Sequence, residues 1–195
     1  MRMMKTLWVL LAMPALLVAG EALAQAPIKI GFLAPLTGAT AQAGKDLYSG
    51  CELYWEQAGW QVAGRKLEVI LDDTEGLPAT ALSKLRRQVE GDKVHLVAGV
   101  VLQNVAYALI PYIESQGIPT IYPLNSADDI TQRKPPKWVA RTSFAASQST
   151  HPFGEYAAKT LGFKKVSVVA LDYAFGYEIV GGFQRTFEEN GGQIV

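Results

Sequence analysis

The sequence predicts an α/β fold, a parallel sheet with helices on both faces. Three observations carry that prediction. Within residues 28–50, IKIGFLAPLTGATAQAGKDLYSG, a continuous apolar run gives way to apolar residues at helical spacing. The same strand-then-helix unit recurs along the chain, and loops rich in glycine and proline separate the units. Continuous apolar runs suit strands buried on both faces, as in a parallel sheet between two helix layers.

Residues 28–34 make the first strand. Pro35, Thr37, Gly38 and Gly44 break the pattern, and Ala43, Leu47, Cys51, Tyr54, Trp55 and Ala58 then form the buried stripe of the first helix. Residues 66–71 make the second strand, which runs into Asp72 and Asp73. Adjacent side chains on a strand point to opposite faces, so these carboxylates do not share an ion, and solvated loop positions with helix capping are expected for them. Pro78 suits the first turn of the second helix, whose stripe is Ala81, Leu82, Leu85 and Val89.

Residues 94–98 make the third strand and 99–104 the loop after it. The third helix, over 105–115, contains Pro111, which removes a backbone hydrogen bond and predicts a kink, and Gly117 ends it. Residues 118–122 make the fourth strand, 123–126 the loop beyond, and 137–141 a fifth strand after the Pro135-Pro136 break. Right-handed crossovers stack these loops on one side of the sheet. From about Thr142 a second group begins, with a helix over 150–161, a strand over 165–171, a helix over 175–190 stopped by Gly191-Gly192, and a strand start at 193–195. Such a short strand with no successor does not complete a sheet, so the second group is expected to be incomplete.

The 195 residues carry 18 basic and 18 acidic side chains. Arg2 and Lys5 precede an apolar run over 7–19, too short to span a bilayer, and Ala22-Leu23-Ala24 is a small-residue cleavage site. Residues 1–24 are thus expected to be a signal peptide, with a soluble, exported product. Losing Arg2, Lys5 and Glu21 with that leader moves the balance one unit to the acidic side. The chain has no basic block and no aromatic–basic interleaving, which argues against a nucleic-acid partner. Cys51 is the only cysteine, and its place on the apolar face of a helix reads as a buried structural thiol.

No catalytic set is visible. His95 lies within a strand and His151 near a helix start, without cysteine or glutamate at metal-ligand spacing, and both read as structural. The G-x-S-x-G, G-x-x-x-x-G-K-[ST] and G-x-G-x-x-G patterns are missing, so neither an enzyme nor a cofactor or metal site is expected. What the pattern offers is a crevice where strand ends meet helix starts, which is where open α/β sheets bind ligands. Tyr173, Phe175 and Tyr177 surround Gly176 at one such turn. Aromatics there wall a cleft or pack the second group, and Phe175 is read as the cleft wall.

The opening I-K-I-G-x-L-x-P-L-T-G with its following A-x-x-G resembles the solute-binding proteins of branched-chain amino acid type ABC transporters. Gly64-Arg65-Lys66 before a strand ending in Asp72-Asp73, and Gly117-Ile118-Pro119 before a strand ending at Pro123, are similar to the same family. The resemblance implies a type I periplasmic binding protein fold of two lobes, with residues 25–141 as the first and 142–195 as a truncated second. It also implies a small-molecule ligand held between the lobes, a periplasmic location and an ABC permease in the inner membrane as partner. The family usually places a serine in the loop after the third strand to hold the ligand carboxylate, where this chain has Leu102 and Gln103. Ser126 matches the hydroxyl usual after the fourth strand, with Leu124 and Asn125 beside it. An aromatic commonly precedes the glycine of the first loop, where this chain has Ala43, and Phe175 replaces the usual tyrosine of the second lobe.

These departures enlarge and dry the pocket, which favours a flat acid with one carboxylate over a zwitterion. Residues 128–133, DDITQR, and 172–178, DYAFGYE, are similar to members associated with aromatic acids. The expected ligand is an aromatic carboxylate such as a benzoate or hydroxycinnamate, ahead of leucine, isoleucine or valine. A ligand-sensing receptor domain of the same fold is the other reading.

Overall fold

A computed structural model describes residues 26–195, and the leader expected over 1–24 lies outside the described residues. In chain order come β1 (Ile28–Ala34), α1 (Ala41–Gln57), β2 (Gln61–Val62), β3 (Arg65–Asp73), α2 (Pro78–Arg86), β4 (Leu96–Gly99), α3 (Gln103–Gln116), β5 (Thr120–Tyr122) and β6 (Val139–Arg141). These strands form a six-stranded sheet in the order β2-β3-β1-β4-β5-β6, parallel except for β2. Beyond it lie α4 (His151–Lys159), β7 (Lys165–Val166), α5 (Ala174–Glu189) and β8 (Gln193–Ile194), with β7 and β8 paired in parallel.

β1 is the centre of the sheet, and its side chains feed two cores. Ile30, Phe32 and Ala34 face α1, while Leu33 joins Val97, Leu85, Leu109 and Ile113 on the α2 and α3 side. Helices therefore cover both faces, as the apolar runs predict. Tyr48 and Trp55 of α1 meet the Phe32 ring edge-on, with centroids 5.2 and 6.0 Å apart. The α1 stripe differs from the predicted one. Gly44, Leu47, Tyr48, Cys51 and Trp55 face the sheet, whereas Tyr54 and Ala58 face solvent. Residues 44, 48, 51 and 55 keep the three-and-four spacing of one face, and positions 54 and 58 fall a third of a turn away. Cys51 is half-buried, and that burial pushes its thiol pKa up.

Several boundaries move. β4 begins at Leu96, so His95 stands just before it, where Nδ1 accepts the Lys29 N–H at 3.0 Å and its own N–H reaches Lys29 O at 2.9 Å. α3 starts two residues early, which makes Gln103 a helix residue, and Pro111 lies on its exposed side. β2 was not predicted. Ala63 and Gly64, both at positive φ, turn it back on β3 as an edge hairpin. The predicted 165–171 strand shrinks to Lys165–Val166, because β8 provides a ladder for only that length.

The largest correction concerns Asp72. It is buried at the end of β3 and paired with Arg87, accepts the Gln88 Nε2–H at 2.8 Å, and has Lys84 Nζ at 3.9 Å. A π-helical turn, Arg87–Gly91, follows α2 and brings Gln88 inward, where Nε2 also donates to Ile70 O at 3.0 Å. Asp73, on the opposite face, ties loops together and caps no helix. Removing a buried carboxylate from such a set leaves its donors unpaired. Asp72→Ala is expected to lower stability by about 2 kcal/mol, read as a lower urea midpoint at unchanged m-value; an unchanged midpoint would show that the pair contributes nothing.

Candidate functional site

The loops after β1 and β4 are each fastened by a neighbouring strand, and the loop after β5 is tied to the loop after β4. In the first loop Asp73 Oδ1 accepts the N–H groups of Leu36 and Glu75, both at 2.8 Å, and Oδ2 accepts the Thr37 hydroxyl at 2.6 Å. Burial alone would raise the Asp73 pKa, but these hydrogen bonds outweigh it and hold the carboxyl below its usual range. At Gly44 a Cβ would run into the Pro35 carbonyl, so only glycine lets α1 sit this close to the loop. The second loop turns on Gly99, at φ +107°, and on Val100, at φ 64°. A β-branched residue there is strained by about 1–3 kcal/mol. Full burial of Val100 and its N–H bond to Leu33 O at 2.6 Å hold it in place.

The third loop, after β5, is organised by Asn125. Its side chain is fully buried, Nδ2 donates to Val101 O and Oδ1 accepts the Ala127 N–H, both at 3.0 Å. Asn125 therefore does not line the crevice: both ends of its carboxamide join the β4 and β5 loops from behind. Beside it, Ser126 Oγ accepts the Gln103 Nε2–H at 2.7 Å, which leaves the serine proton free to point elsewhere.

Above these loops lies a cavity of about 280 Å³. It is lined by Ala43, Leu102, Gln103, Leu124, Ser126 and Phe175, six of the seven residues predicted from the sequence. Thr40, Val101, Phe144 and Tyr173 complete the lining and were not assigned to the site. Thr40 stands at the N-cap of α1, a position that capping rules mark out. Tyr173 is the N-cap of α5 and its ring lies 6.1 Å from that of Phe175. Phe144, after β6, carries no local signal. Tyr177 bonds Asp172 outside this lining.

Three helices begin at this cavity: α1 at Thr40, α3 at Leu102 and α5 at Tyr173. No side chain caps any of the three, and none has an acidic residue in its first turn. Each start presents unpaired N–H groups and the positive end of a helix dipole. No lining side chain carries a charge, so the field in the cavity is set by these helix ends. The arrangement suits an anionic group bound by N–H and hydroxyl donors, with an apolar body against the aromatic rings.

A family model described as Periplasmic binding protein matches residues 27–195. Leu/Ile/Val-binding protein homolog 6 of Brucella abortus (strain 2308) is 29% identical over 169 residues, covering 86% of this chain and 43% of that protein. Among solved structures, an ABC transporter solute-binding protein of R. palustris in complex with benzoate has 34% identity and a TM-score of 0.81, over 87% of this chain and 47% of that one. The solute-binding protein of Rhodopseudomonas palustris BisB5 in complex with 3,4-dihydroxy benzoic acid has 35% identity and a TM-score of 0.79, over 87% and 46%. The chain thus spans less than half the length of these relatives. The β2-β3-β1-β4-β5-β6 sheet with helices on both faces has the type I periplasmic binding fold, and this chain belongs to the periplasmic binding protein family.

Proposed function

We propose that this chain captures a small aromatic carboxylate, such as a benzoate or hydroxycinnamate, as part of the substrate-binding component of an ABC importer. Three uncapped helix N-termini meeting at one cavity without charged side chains carry this reading. In the proposed complex the carboxylate takes up the N–H groups at the start of α3 and the proton of the Ser126 hydroxyl, whose oxygen accepts from Gln103. The ring of the acid lies against Leu102, Phe144, Tyr173 and Phe175. The benzoate and 3,4-dihydroxybenzoate held by the two R. palustris relatives support this ligand class.

In this reading residues 25–141 form the first ligand-binding lobe and 142–195 the beginning of a second. The signal peptide over 1–24 directs the chain to the periplasm, and an inner-membrane permease receives the ligand. Contacts to both lobes favour the closed arrangement, which is how a permease would distinguish loaded from empty protein. A branched-chain amino acid is the second reading, favoured by the name of the Brucella relative. Its ammonium group needs an acceptor, and the lining residues here include no carboxylate.

A ligand that binds only the folded state raises the melting temperature. With benzoate at about a hundred times its Kd the gain is about 2.7 kcal/mol, or about 5–10 °C at this chain length. A shift with benzoate and 4-hydroxybenzoate but none with leucine or valine is expected; the reverse pattern would establish the amino-acid reading. Ser126→Ala should weaken benzoate binding about tenfold, and an unchanged Kd in titration calorimetry would remove the hydroxyl from the site. Leu102→Ser should raise leucine affinity by restoring the hydroxyl usual in that loop, and no gain would argue against this assignment of Leu102.

A further inference from the structure

The starts of α3 and α5 form two walls of the cavity, and one turn along each helix a side chain reaches across. Tyr107 of α3 donates its hydroxyl proton to Glu178 Oε1 of α5 at 2.5 Å. The 3-10 turn Asp128–Ile130 completes the bridge: the Asp128 N–H reaches Glu178 Oε2 at 3.2 Å, and the Asp129 N–H reaches the Tyr107 oxygen at 3.1 Å. One carboxyl group and one phenol thus join both walls to the turn that follows β5.

The surroundings of Glu178 contain more acid than a lone carboxylate favours. Asp128 and Asp129 face it from the turn; Arg133 pairs with Asp129 at 2.6 Å, and Asp128 Oδ1 accepts the Ser147 N–H at 3.1 Å. On its outer side lies an open polar recess of about 550 Å³. His151 of α4 and Tyr177 and Arg185 of α5 line that recess, with Arg185 already paired to Glu189 at 3.1 Å. Burial is the first cause that pushes the Glu178 pKa up; the charges of Asp128 and Asp129 add to it, and the hydrogen bonds from Tyr107 and Asp128 pull the other way.

We propose that Tyr107 and Glu178 are positioning residues of the ligand cavity: their bridge sets the separation of the α3 and α5 N-termini, and it tightens when Glu178 takes up a proton. The proposal rests on the carboxylate-binding reading of the same cavity. Both donors can still bond a neutral carboxyl, though more weakly than an ionised one, while burial and the charges of Asp128 and Asp129 penalise only the ionised form and outweigh that loss. A group whose pKa is higher in the bridged arrangement than in a separated one binds protons preferentially when bridged. The bridge therefore gains strength as pH falls from the raised value towards the ordinary carboxylate range, and loses it as pH rises. Walls held at the binding distance spare the ligand the cost of ordering them.

Calorimetric titration of the purified chain with benzoate, from about pH 8 to about pH 5.5, where benzoate stays ionised, tests this. Wild-type affinity should rise about twofold towards acid. Glu178→Gln, neutral at every pH, should give a flat profile near the acid-end affinity, and Tyr107→Phe should bind about fivefold more weakly throughout. A purely structural role would weaken both variants. Persistence of the pH dependence in Glu178→Gln would overturn the proposal, as would unchanged affinity in Tyr107→Phe. If benzoate fails to bind the wild type, the carboxylate reading fails separately. Amide hydrogen exchange without ligand then decides the bridge. Protection at residues 103–107 and 174–178, corrected for intrinsic rate, must fall in Tyr107→Phe, and unchanged protection there would refute the bridge.

Discussion

The buried carboxamide of Asn125 is the contact on which the site depends most. Its two hydrogen bonds, to Val101 O and from the Ala127 N–H, fix the β4 and β5 loops relative to each other. The neighbouring backbone extends that tie in every direction. Ser143 Oγ donates to Asn125 O, the Ala146 N–H to Ser126 O at 2.8 Å, and Arg141 Nη1 to Ala127 O at 2.5 Å. Residues 125–128 thereby anchor the strand ends, the start of α3 and the first turn beyond β6. Burying a primary amide is tolerable only when its donor and acceptor are both used, and here both are. Asn125 is absent from the cavity wall because both ends of its side chain are turned into the buried space between the loops, away from a ligand.

The cavity is assembled from conformations that the chain does not adopt freely. Val100 sits in the left-handed region directly after Gly99, and Gly44 must bring α1 against the Pro35 carbonyl. Both features place helix starts where their N–H groups face open space. Elsewhere in proteins such ends are relieved by a Ser, Asp or Asn cap, worth about 1 kcal/mol each. Leaving α1, α3 and α5 all uncapped at one cavity concentrates unused donor capacity, which a ligand can then take up. Stability is held back locally and supplied by the Phe32 and Leu33 cores on either face of β1.

The central sheet was legible in the sequence because buried parallel strands read as apolar runs and their helices as stripes, and β1, β4 and α2 follow that pattern closely. Features set by tertiary contact were not. The β2 hairpin lacks the Asn-Gly or Asp-Gly pair that usually announces a type I′ turn, and the π-helical turn that buries Gln88 has no composition signal. Asp72 looked like a loop carboxylate because its partners Arg87 and Gln88 lie fifteen and sixteen residues on. In the site, residues at strand-to-helix junctions could be placed from pattern and family resemblance together. Phe144 could not, since it reaches the cavity only through the path the chain takes after β6.

The two sides of the cavity are held by different physics. Thr40, Ala43, Leu102, Leu124 and Ser126 stand on loops of a six-stranded sheet with an apolar core on each face. Tyr173 and Phe175 stand on α5, whose own sheet among the described residues is the β7 and β8 pair. Around that pair, Phe153, Phe163, Val168 and Phe183 line an apolar groove of about 350 Å³, and Val169 is fully exposed. Within its own group α5 packs on α4 through Phe183, Phe187, Ala157 and Ala158, and polar ties add to that packing: Thr150 Oγ1 to Ile179 O at 2.8 Å, and, towards the first sheet, the Tyr107 and Asp128 bonds to Glu178. Hydrogen bonds respond to protonation and to single substitutions in a way that a packed core does not. The polar bonds of Tyr107 and Asp128 to Glu178 thus tie the wall that carries the aromatic rings to the one that carries Ser126 and the α3 amides, and a substitution confined to the Tyr107 hydroxyl or the Glu178 carboxyl acts on that tie while leaving both apolar cores in place.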